Sequence, residues 1–177
     1  MDCNNVEKDR TPEFAGNRSF FKIGLYIVAL CIAGGFWFYA NQLVLVIKPE
    51  NNQTPICFTT FVGDKLEYGF THSVQKTPVE EYFVVRGPND ILMQYTRYQS
   101  LGVGLPFLPS EGTFTQTDDG HFIFEMNRPF QTVKLRIANE AKPRLFYSGK
   151  EIPLCKVFKP GSLVEIIVEK RYRIWFN

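Results

Sequence analysis

The sequence predicts an all-β domain, folded as an antiparallel β-sandwich or barrel, that follows a single N-terminal transmembrane helix. Three observations support this fold class. No charged residue interrupts the apolar segment from Ile23 to Ala40. After Ala40, short runs of β-branched and aromatic residues recur roughly every ten residues, separated by Gly, Pro, Asn and Asp. That part of the sequence has no long helical periodicity.

The segment Phe20–Ala40 has the length and composition of a membrane anchor. At about 1.5 Å per residue it spans roughly 30 Å, the thickness of a hydrocarbon core. Lys22 at one end can extend to the headgroups, and aromatic residues gather at the other end, as at membrane interfaces. A buried core helix and a cleaved signal peptide are the alternatives. Phe38 argues against cleavage after Ala40, because a small residue is expected there.

Positive charge predicts the orientation of the anchor. Four basic residues lie before or at its start: Lys8, Arg10, Arg18 and Lys22. The roughly twenty residues that follow it carry only Lys48, and a basic excess favours the cytoplasmic side. We therefore expect a cytoplasmic tail at 1–19, a transmembrane anchor at 20–40 and an extracytoplasmic β-domain at 41–177, held in the cell membrane by a single pass.

Strands are expected wherever apolar residues run together or alternate with polar ones. These segments are Val44–Ile47, Ile56–Val62, Lys65–Val74, Val79–Val85, Ile91–Tyr98, His121–Met126, Thr132–Ala138, Arg144–Tyr147, Glu151–Val157 and Leu163–Glu169. The final segment, Lys170–Phe176, mixes basic and aromatic residues. We interpret it as an edge strand whose charges prevent pairing with other chains, with contact to an anionic membrane surface or a membrane partner as the alternative.

Composition limits the partners, disulfides and metal sites that the chain can be expected to have. The formal net charge is +2, so a nucleic-acid partner is not indicated. Cys57 and Cys155 both fall in the part expected outside the cytoplasm, where a disulfide is permitted, although two free buried thiols fit the sequence equally well. Because no Cys or His spacing resembles a metal site, we expect neither a metal nor another cofactor.

One polar cluster within the apolar β pattern is the best candidate for a functional site. His72 falls on the apolar alternation face of its strand, so its ring is either buried and hydrogen-bonded or lines a pocket. A hairpin through Gln75–Pro78 can place His72 across from a carboxylate. A glycine loop further on can bring backbone amides to a bound oxyanion. The candidate ligand-binding or docking residues are His72, Ser73, Glu80, Glu81, Arg97, Gly102, Gly104 and Pro106.

The same residues also have a structural interpretation. A lone histidine in a β core is more often a hydrogen-bonded structural residue than a catalytic one. Gly102, Gly104 and Pro106 fit a long connection equally well. Ser73 cannot form a triad with His72, because adjacent strand residues point to opposite faces. We therefore assign no catalytic residue.

Three short motifs occur in order along the chain: Phe-Thr-His-Ser-Val at 70–74, Pro-Val-Glu-Glu at 78–81 and Gly-Val-Gly-Leu-Pro at 102–106. With the single apolar segment before them, they resemble the domain-of-unknown-function family number 1850, a group of small bacterial and archaeal proteins, over roughly Leu43 to Val168. The resemblance implies that the motif positions are His72, Ser73, Glu80, Glu81, Gly102, Gly104 and Pro106. It implies no activity. It implies a genomic setting, because family members are often encoded beside, or fused to, TRAP transporters of the TAXI branch, which import organic anions with a soluble binding protein.

The expected function is therefore that of a membrane-anchored extracytoplasmic accessory protein of a TAXI-type TRAP transporter. Its partners would be membrane lipid, through Phe20–Ala40, and the transporter's membrane subunit or its solute-binding protein. The alternative is a stand-alone ligand- or ion-binding β module with a pocket at His72, Glu81 and Arg97. A hydrolase that uses His72 with a carboxylate ranks last, since the sequence lacks a nucleophile elbow and a metal motif.

Overall fold

A computed structural model describes residues 17–51, 53–100, 105–106, 108 and 110–175. The chain divides into two compact units, Met1–Tyr39 and Ala40–Asn177. The first unit contains most of helix α1 (Asn17–Asn41). The part from Phe20 to Asn41 has a mean hydropathy of 1.9 and is long and apolar enough to cross a membrane. Its large apolar side chains are exposed, which fits single-pass anchoring in lipid.

The second unit is almost entirely antiparallel β-structure. Its described elements are β1 (Leu43–Pro49), β2 (Ile56–Thr60), β3 (Lys65–Thr71), β4 (Pro78–Gly87), β5 (Asp90–Tyr98), β6 (Thr113–Gln116), β7 (Phe122–Phe130), β8 (Thr132–Arg136), β9 (Arg144–Tyr147), β10 (Lys150–Pro153), α2 (Leu154–Val157), β11 (Leu163–Lys170) and α3 (Arg171–Ile174). Sheet A has the strand order β2-β1-β11-β8, and sheet B has the order β10-β9-β3-β4-β5-β7-β6. The predicted all-β sandwich is confirmed.

The main core lies between the two sheets. Sheet A contributes alternate residues of β1, β8 and β11, and sheet B contributes alternate residues of β3, β4, β5 and β9. Leu45 and Ile166 on one side, and Ile91 and Leu145 on the other, are almost completely buried. A second, smaller cluster lies further along the inner face of sheet B and consists of Val79, Tyr98, Leu105 and Phe124. The alternation predicted for β8 is confirmed, with Val133 and Leu135 buried and Lys134 and Arg136 exposed.

The structure corrects the sequence prediction at the C-terminal end. The segment after Lys170 was expected to be an edge strand, but it turns into α3, and β11 before it lies inside sheet A. Leu43 and Lys170 form the last pair between β1 and β11, so a continued strand would have no partner there. The expected strand Glu151–Val157 is also shorter, because β10 ends at Pro153 and α2 follows.

The structure also adds a strand that the sequence does not predict and shows the state of two cysteines. Strand β6 was not predicted, because all four of its residues are exposed and leave no burial pattern to recognise. Cys57 and Cys155, for which a disulfide and free thiols were both considered, are free in the structure. Burial raises the pKa of both thiols above the ordinary value, which disfavours the reactive thiolate.

Candidate functional site

The turn between β3 and β4 is built around His72, which is 7% exposed. Its backbone N–H donates to the carbonyl of Thr77 (2.9 Å). Its ring Nδ1 accepts the backbone N–H groups of Val74 (3.2 Å) and Gln75 (3.1 Å). Nδ1 must therefore carry a lone pair, which leaves the ring proton on Nε2. These contacts give His72 a structural role in the turn, where Ser73 lies exposed.

The predicted hairpin of β3 and β4 is confirmed, but its register differs from the expected one. Thr71 and Pro78 form the last pair before the turn, so His72 lies beyond the ladder. Glu80 and Glu81 pair with a glycine and a tyrosine further back along β3. The register therefore does not bring either carboxylate opposite the His-Ser pair. Adjacent residues of a strand point to opposite faces, so the two glutamates also lie on different sides of sheet B.

Glu80 belongs to an ion-pair network on the outer face of sheet B. Arg97 lies opposite it on β5, with Nη1 3.5 Å from Glu80 Oε2 and Nη2 2.8 Å from Asp119 Oδ2. The Tyr82 hydroxyl donates to Glu80 Oε2 (3.1 Å). A hydrogen bond from Thr117 lowers the pKa of Asp119 and keeps it ionised. Every charge here has a partner and remains partly exposed, which is typical of a stabilised surface rather than of a reactive site.

Glu81 borders a cleft between the two sheets. The cleft has a volume of about 500 Å³, with sheet B on one side and β8 on the other. All five residues of β8 border it, as expected of an edge strand with one unpaired side. Glu81 is the only acidic residue among the described residues that line the cleft. The apolar residues around it are Phe70, Phe83, Phe130, Val133 and Leu135.

Burial raises the pKa of Glu81 from 4.5 to about 7. No hydrogen bond or ion pair to this carboxyl occurs among the described residues, so desolvation of the charged form is the whole cause. Near neutral pH about half of the molecules therefore carry a protonated Glu81. The protonated carboxyl can donate a hydrogen bond as well as accept one. A carboxyl perturbed in this way, in an apolar cleft, is a candidate functional group.

Two hydroxyl groups flank Glu81 on the same face of sheet B. Tyr68 lies opposite it on β3 and Thr96 lies opposite it on β5. Burial, and secondarily the charge of Glu81, raises the pKa of Tyr68, so its phenol stays a neutral donor. Thr96 is 1% exposed, and its hydroxyl has no hydrogen-bond partner among the described residues. The row Tyr68–Glu81–Thr96 therefore places three polar groups side by side across sheet B. Tyr68 and Glu81 line the cleft, which Lys134 and Arg136 also border, whereas Thr96 is buried and is not among the lining residues.

This row can recognise a polar oxygen attached to an apolar body. Hydroxyl groups and a protonated carboxyl all donate hydrogen bonds, which a carboxylate or carbonyl oxygen accepts. The surrounding aromatic and aliphatic side chains favour a ligand whose remainder is apolar. Among the described residues, the cleft lining contains no serine, cysteine or histidine.

The remaining predicted residues fall elsewhere. Gly102 and Gly104 lie outside the described residues. The carbonyl of Pro106 accepts the hydroxyl of Tyr98 (2.7 Å), and Pro106 borders a separate depression that includes Phe124. Within the described part of the chain, no group of three His, Cys, Asp or Glu residues is arranged to hold a metal ion.

The sequence pattern points to Glu81 but not to the two hydroxyl residues paired with it, Tyr68 and Thr96. The sequence of β4 itself indicates that Glu81 is unusual. Val79, Glu81, Phe83 and Val85 occupy alternate positions of β4, so Glu81 stands where the pattern calls for an apolar residue. Thr96 could not be placed, because β-bulges shift the register of β5 against both of its neighbours.

Comparison with known proteins identifies a family. A family model described as a domain of unknown function (DUF1850) matches residues 66–154, half of the chain. The matched segment runs from β3 to the first residue of α2 and contains every described residue that lines the Glu81 cleft. No curated protein and no solved structure matches the chain.

Proposed function

The chain belongs to the DUF1850 family, and on this premise we propose that it is a membrane-anchored extracytoplasmic accessory protein of a TAXI-type TRAP transporter that binds an organic acid in the cleft at Glu81. The observation that carries the proposal is the buried carboxyl itself. Its pKa of about 7 keeps a proton available at neutral pH, next to the hydroxyls of Tyr68 and Thr96.

The chemistry follows from the protonation state of Glu81. A protonated carboxyl donates a hydrogen bond to the carboxylate of the ligand, whereas an ionised one repels it. The ligand's apolar body fills the space bounded by the phenylalanines of sheet B and by Val133 and Leu135 of β8. Binding therefore takes up a proton, and affinity falls as the pH rises above about 7.

The apolar helix accounts for how such a site would serve a transporter. A single-pass anchor with its N-terminal tail in the cytoplasm would hold the cleft on the outer side of the cell membrane. Confining the binding domain to the membrane raises its effective concentration near a membrane-embedded partner, without new contacts. The partner would be the transporter's membrane subunit or its solute-binding protein.

Uptake of the transported organic anion tests this role. We expect a clean deletion strain to lose uptake, and the full-length wild-type chain to restore it. The Glu81→Leu variant should restore little, because it removes the hydrogen-bond donor, whereas Glu80→Leu should restore most uptake, because Glu80 lies on the other face of sheet B. Normal uptake in the deletion strain would contradict the accessory role.

Co-purification in mild detergent tests the partner separately. The tagged full-length protein should recover a TRAP membrane subunit or a TAXI-type binding protein from membranes that contain both. If neither is recovered, while the purified chain still binds organic acids through Glu81, the stand-alone ligand-binding module replaces the accessory role. The same cleft favours this second function.

A further inference from the structure

Hydrogen bonds connect Asn41 and Gln42, at the start of the β-domain, to Lys170 and Arg171 at the end of β11. The Lys170 ammonium donates to the side-chain oxygen of Asn41 (3.1 Å). The backbone N–H of Arg171 donates to the carbonyl of Gln42 (2.8 Å), and its guanidinium donates to the Gln42 side chain (3.2 Å). The segment from Lys170 to Trp175 therefore begins in contact with Asn41, the last residue of α1, and with Gln42. We call this region, comprising residues 41–43, 60–65 and 170–175, the proximal end.

An apolar turn lies at the same end. Thr60 pairs with Leu43, and the next two residues, Phe61 and Val62, are 63% and 67% exposed. Their exposure does not come from a frayed loop. The Asp64 carboxylate accepts the backbone N–H of Phe61 (2.9 Å) and the hydroxyls of Thr60 (3.2 Å) and Tyr147 (2.8 Å). Although burial opposes it, these hydrogen bonds hold the pKa of Asp64 below its ordinary value.

The turn is fixed on its other side as well. Gly63 adopts φ of +95°, and its N–H donates to the carbonyl of Val85 in sheet B (2.8 Å). A side chain at position 63 would be strained in that conformation. The fold thus holds two adjacent apolar side chains exposed in a fixed turn. Adjacent exposed apolar groups can mark an interaction surface.

Basic residues and a tryptophan occur at the same end of the domain, where the Arg171 guanidinium also donates to the hydroxyl of Thr59 (2.7 Å). Lys65 and Arg173 are exposed, Lys170 and Arg171 are half-buried, and Trp175 is 47% exposed. Of the acidic residues near this end, Asp64 closes the turn and Asp90 pairs with Arg86 (3.0 Å), while Glu169 directly precedes Lys170. Exposed apolar side chains, a tryptophan and several basic residues occur together where proteins meet anionic lipid surfaces.

We propose that the proximal end rests on the bilayer, with Phe61 and Val62 inserted among the acyl chains and the basic residues against anionic headgroups. This proposal rests on the membrane anchoring proposed above. A lipid surface is favoured over a protein partner, because the apolar helix ends at Asn41 and covalent continuity alone brings a bilayer within reach. The contact would restrict the tilt of the β-domain over the membrane.

Two valines make a matched test. Val62 and Val74 are 67% and 66% exposed, and they lie in turns at opposite ends of β3. Without a lipid contact, hydroxyl radicals should oxidise both at similar rates. In nanodiscs that hold the full-length chain and one-third phosphatidylglycerol, we expect oxidation of Val62 to be about fivefold slower than that of Val74. In pure phosphatidylcholine, or in a Lys65→Gln/Arg173→Gln variant, the difference should shrink to about twofold.

Each outcome bears on the proposal. Equal oxidation of the two valines in anionic nanodiscs overturns it, provided that the protein floats with the lipid. Failure to float with the lipid overturns the anchor and this inference together, so the two can be told apart. Equal protection in neutral and anionic lipid overturns the role of the basic residues. Protection of Val62 in native membranes but not in purified lipid assigns the proximal end to a protein partner and overturns the lipid contact.

Discussion

At the scale of single residues, a carboxyl group in an apolar cleft lowers the stability of the folded protein whenever it is ionised. For Glu81 the rise in pKa from 4.5 to about 7 corresponds to a destabilisation of the ionised folded state by about 3 kcal/mol. Retaining such a residue on an otherwise apolar face of β4 makes sense if its proton is used. The opposite case is Glu80, one position away, whose charge is paired with Arg97 at the surface.

The stability of the protein should depend on pH through Glu81. Its folded-state pKa is raised, so the folded state binds the proton more tightly than the unfolded state between pH 4.5 and about 7. Stability contributed by the protonated group is therefore present below pH 4.5 and is lost as the pH rises to about 7. Relative to wild type, Glu81→Gln should be more stable by up to about 3 kcal/mol at pH 8.5 and similar at pH 4.5.

Denaturant unfolding of the full-length chain in detergent measures this difference. Glu80→Gln is the matched control, because its carboxylate is solvated and ion-paired, and its stability relative to wild type should change little with pH. A stability difference for Glu81→Gln that stays constant from pH 4.5 to 8.5 would show that the carboxyl is not buried in the way described.

His72 should matter for folding rather than for chemistry. The His72→Ala variant removes the acceptor of the Val74 and Gln75 N–H groups, which we expect to cost about 1–2 kcal/mol. His72→Asn should recover much of that loss, because its side-chain oxygen can accept the same hydrogen bonds in an Asx-type turn. Thermal unfolding and organic-acid binding are measured together. An asparagine variant that is stable but does not bind would assign His72 to the binding site instead.

At the scale of secondary-structure elements, most strands could be predicted because burial imposes alternation. The Thr132–Ala138 segment shows this best, since Val133, Leu135 and Ile137 are all buried while the basic residues between them are not. Strand β6 could not be predicted, because an exposed strand at the edge of sheet B is specified by its partner β7 and not by its own residues. The C-terminal helix was missed for a related reason, since only the three-dimensional end of the β1–β11 ladder shows where pairing must stop.

The attachment of β6 depends on Gly112. A Cβ atom placed there would clash with the backbone carbonyl oxygen of Glu125 on β7, so the backbone must move. We expect Gly112→Ala to cost about 1–3 kcal/mol and to detach β6 locally. The Phe114–Phe122 stacking contact, with ring centroids 5.2 Å apart, should be lost with it.

Hydrogen exchange of the amides in Thr113–Gln116 reports this detachment directly. These amides should exchange much faster in Gly112→Ala than in the wild type. Gly87→Ala is the control, because nothing lies within 4 Å of a Cβ at that position, and β6 should keep its protection there. Equal protection of β6 in both variants would mean that the close approach at Gly112 is relieved without separating the strands.

At the scale of the whole molecule, the sequence predicted the class of fold but not its topology. The sheet order depends on pairs far apart in the chain, such as β1 with β11 and β3 with β9, and no local pattern encodes them. The site depends on the same long-range order, because the cleft exists only where the edge of β8 faces β3 and β4. For this reason Glu81 could be proposed from its motif, whereas its neighbours Tyr68 and Thr96 could not.

The anchor, the cleft and the proximal end together suggest a protein that presents a proton-carrying binding site beside a membrane. In the proposed account the helix and the proximal end contact lipid, while the cleft lies in the part of the chain that matches the DUF1850 family. In the proposed role, binding of an organic acid and uptake of a proton are a single event at Glu81. The proposed accessory function depends on this coupling.

The coupling is tested most directly by titrating hexanoate and benzoate, as probe ligands, into the full-length protein in nanodiscs at pH 6 and pH 8.5. If only the protonated form of Glu81 binds, affinity should fall about 30-fold between these pH values. The Glu81→Gln variant keeps a donor that does not titrate, so it should bind equally at both pH values. Glu81→Leu should bind at neither, and Glu80→Gln should behave like wild type. Binding by the wild type that is independent of pH, or unchanged in Glu81→Leu, would contradict the assignment of Glu81 as the group that receives the ligand.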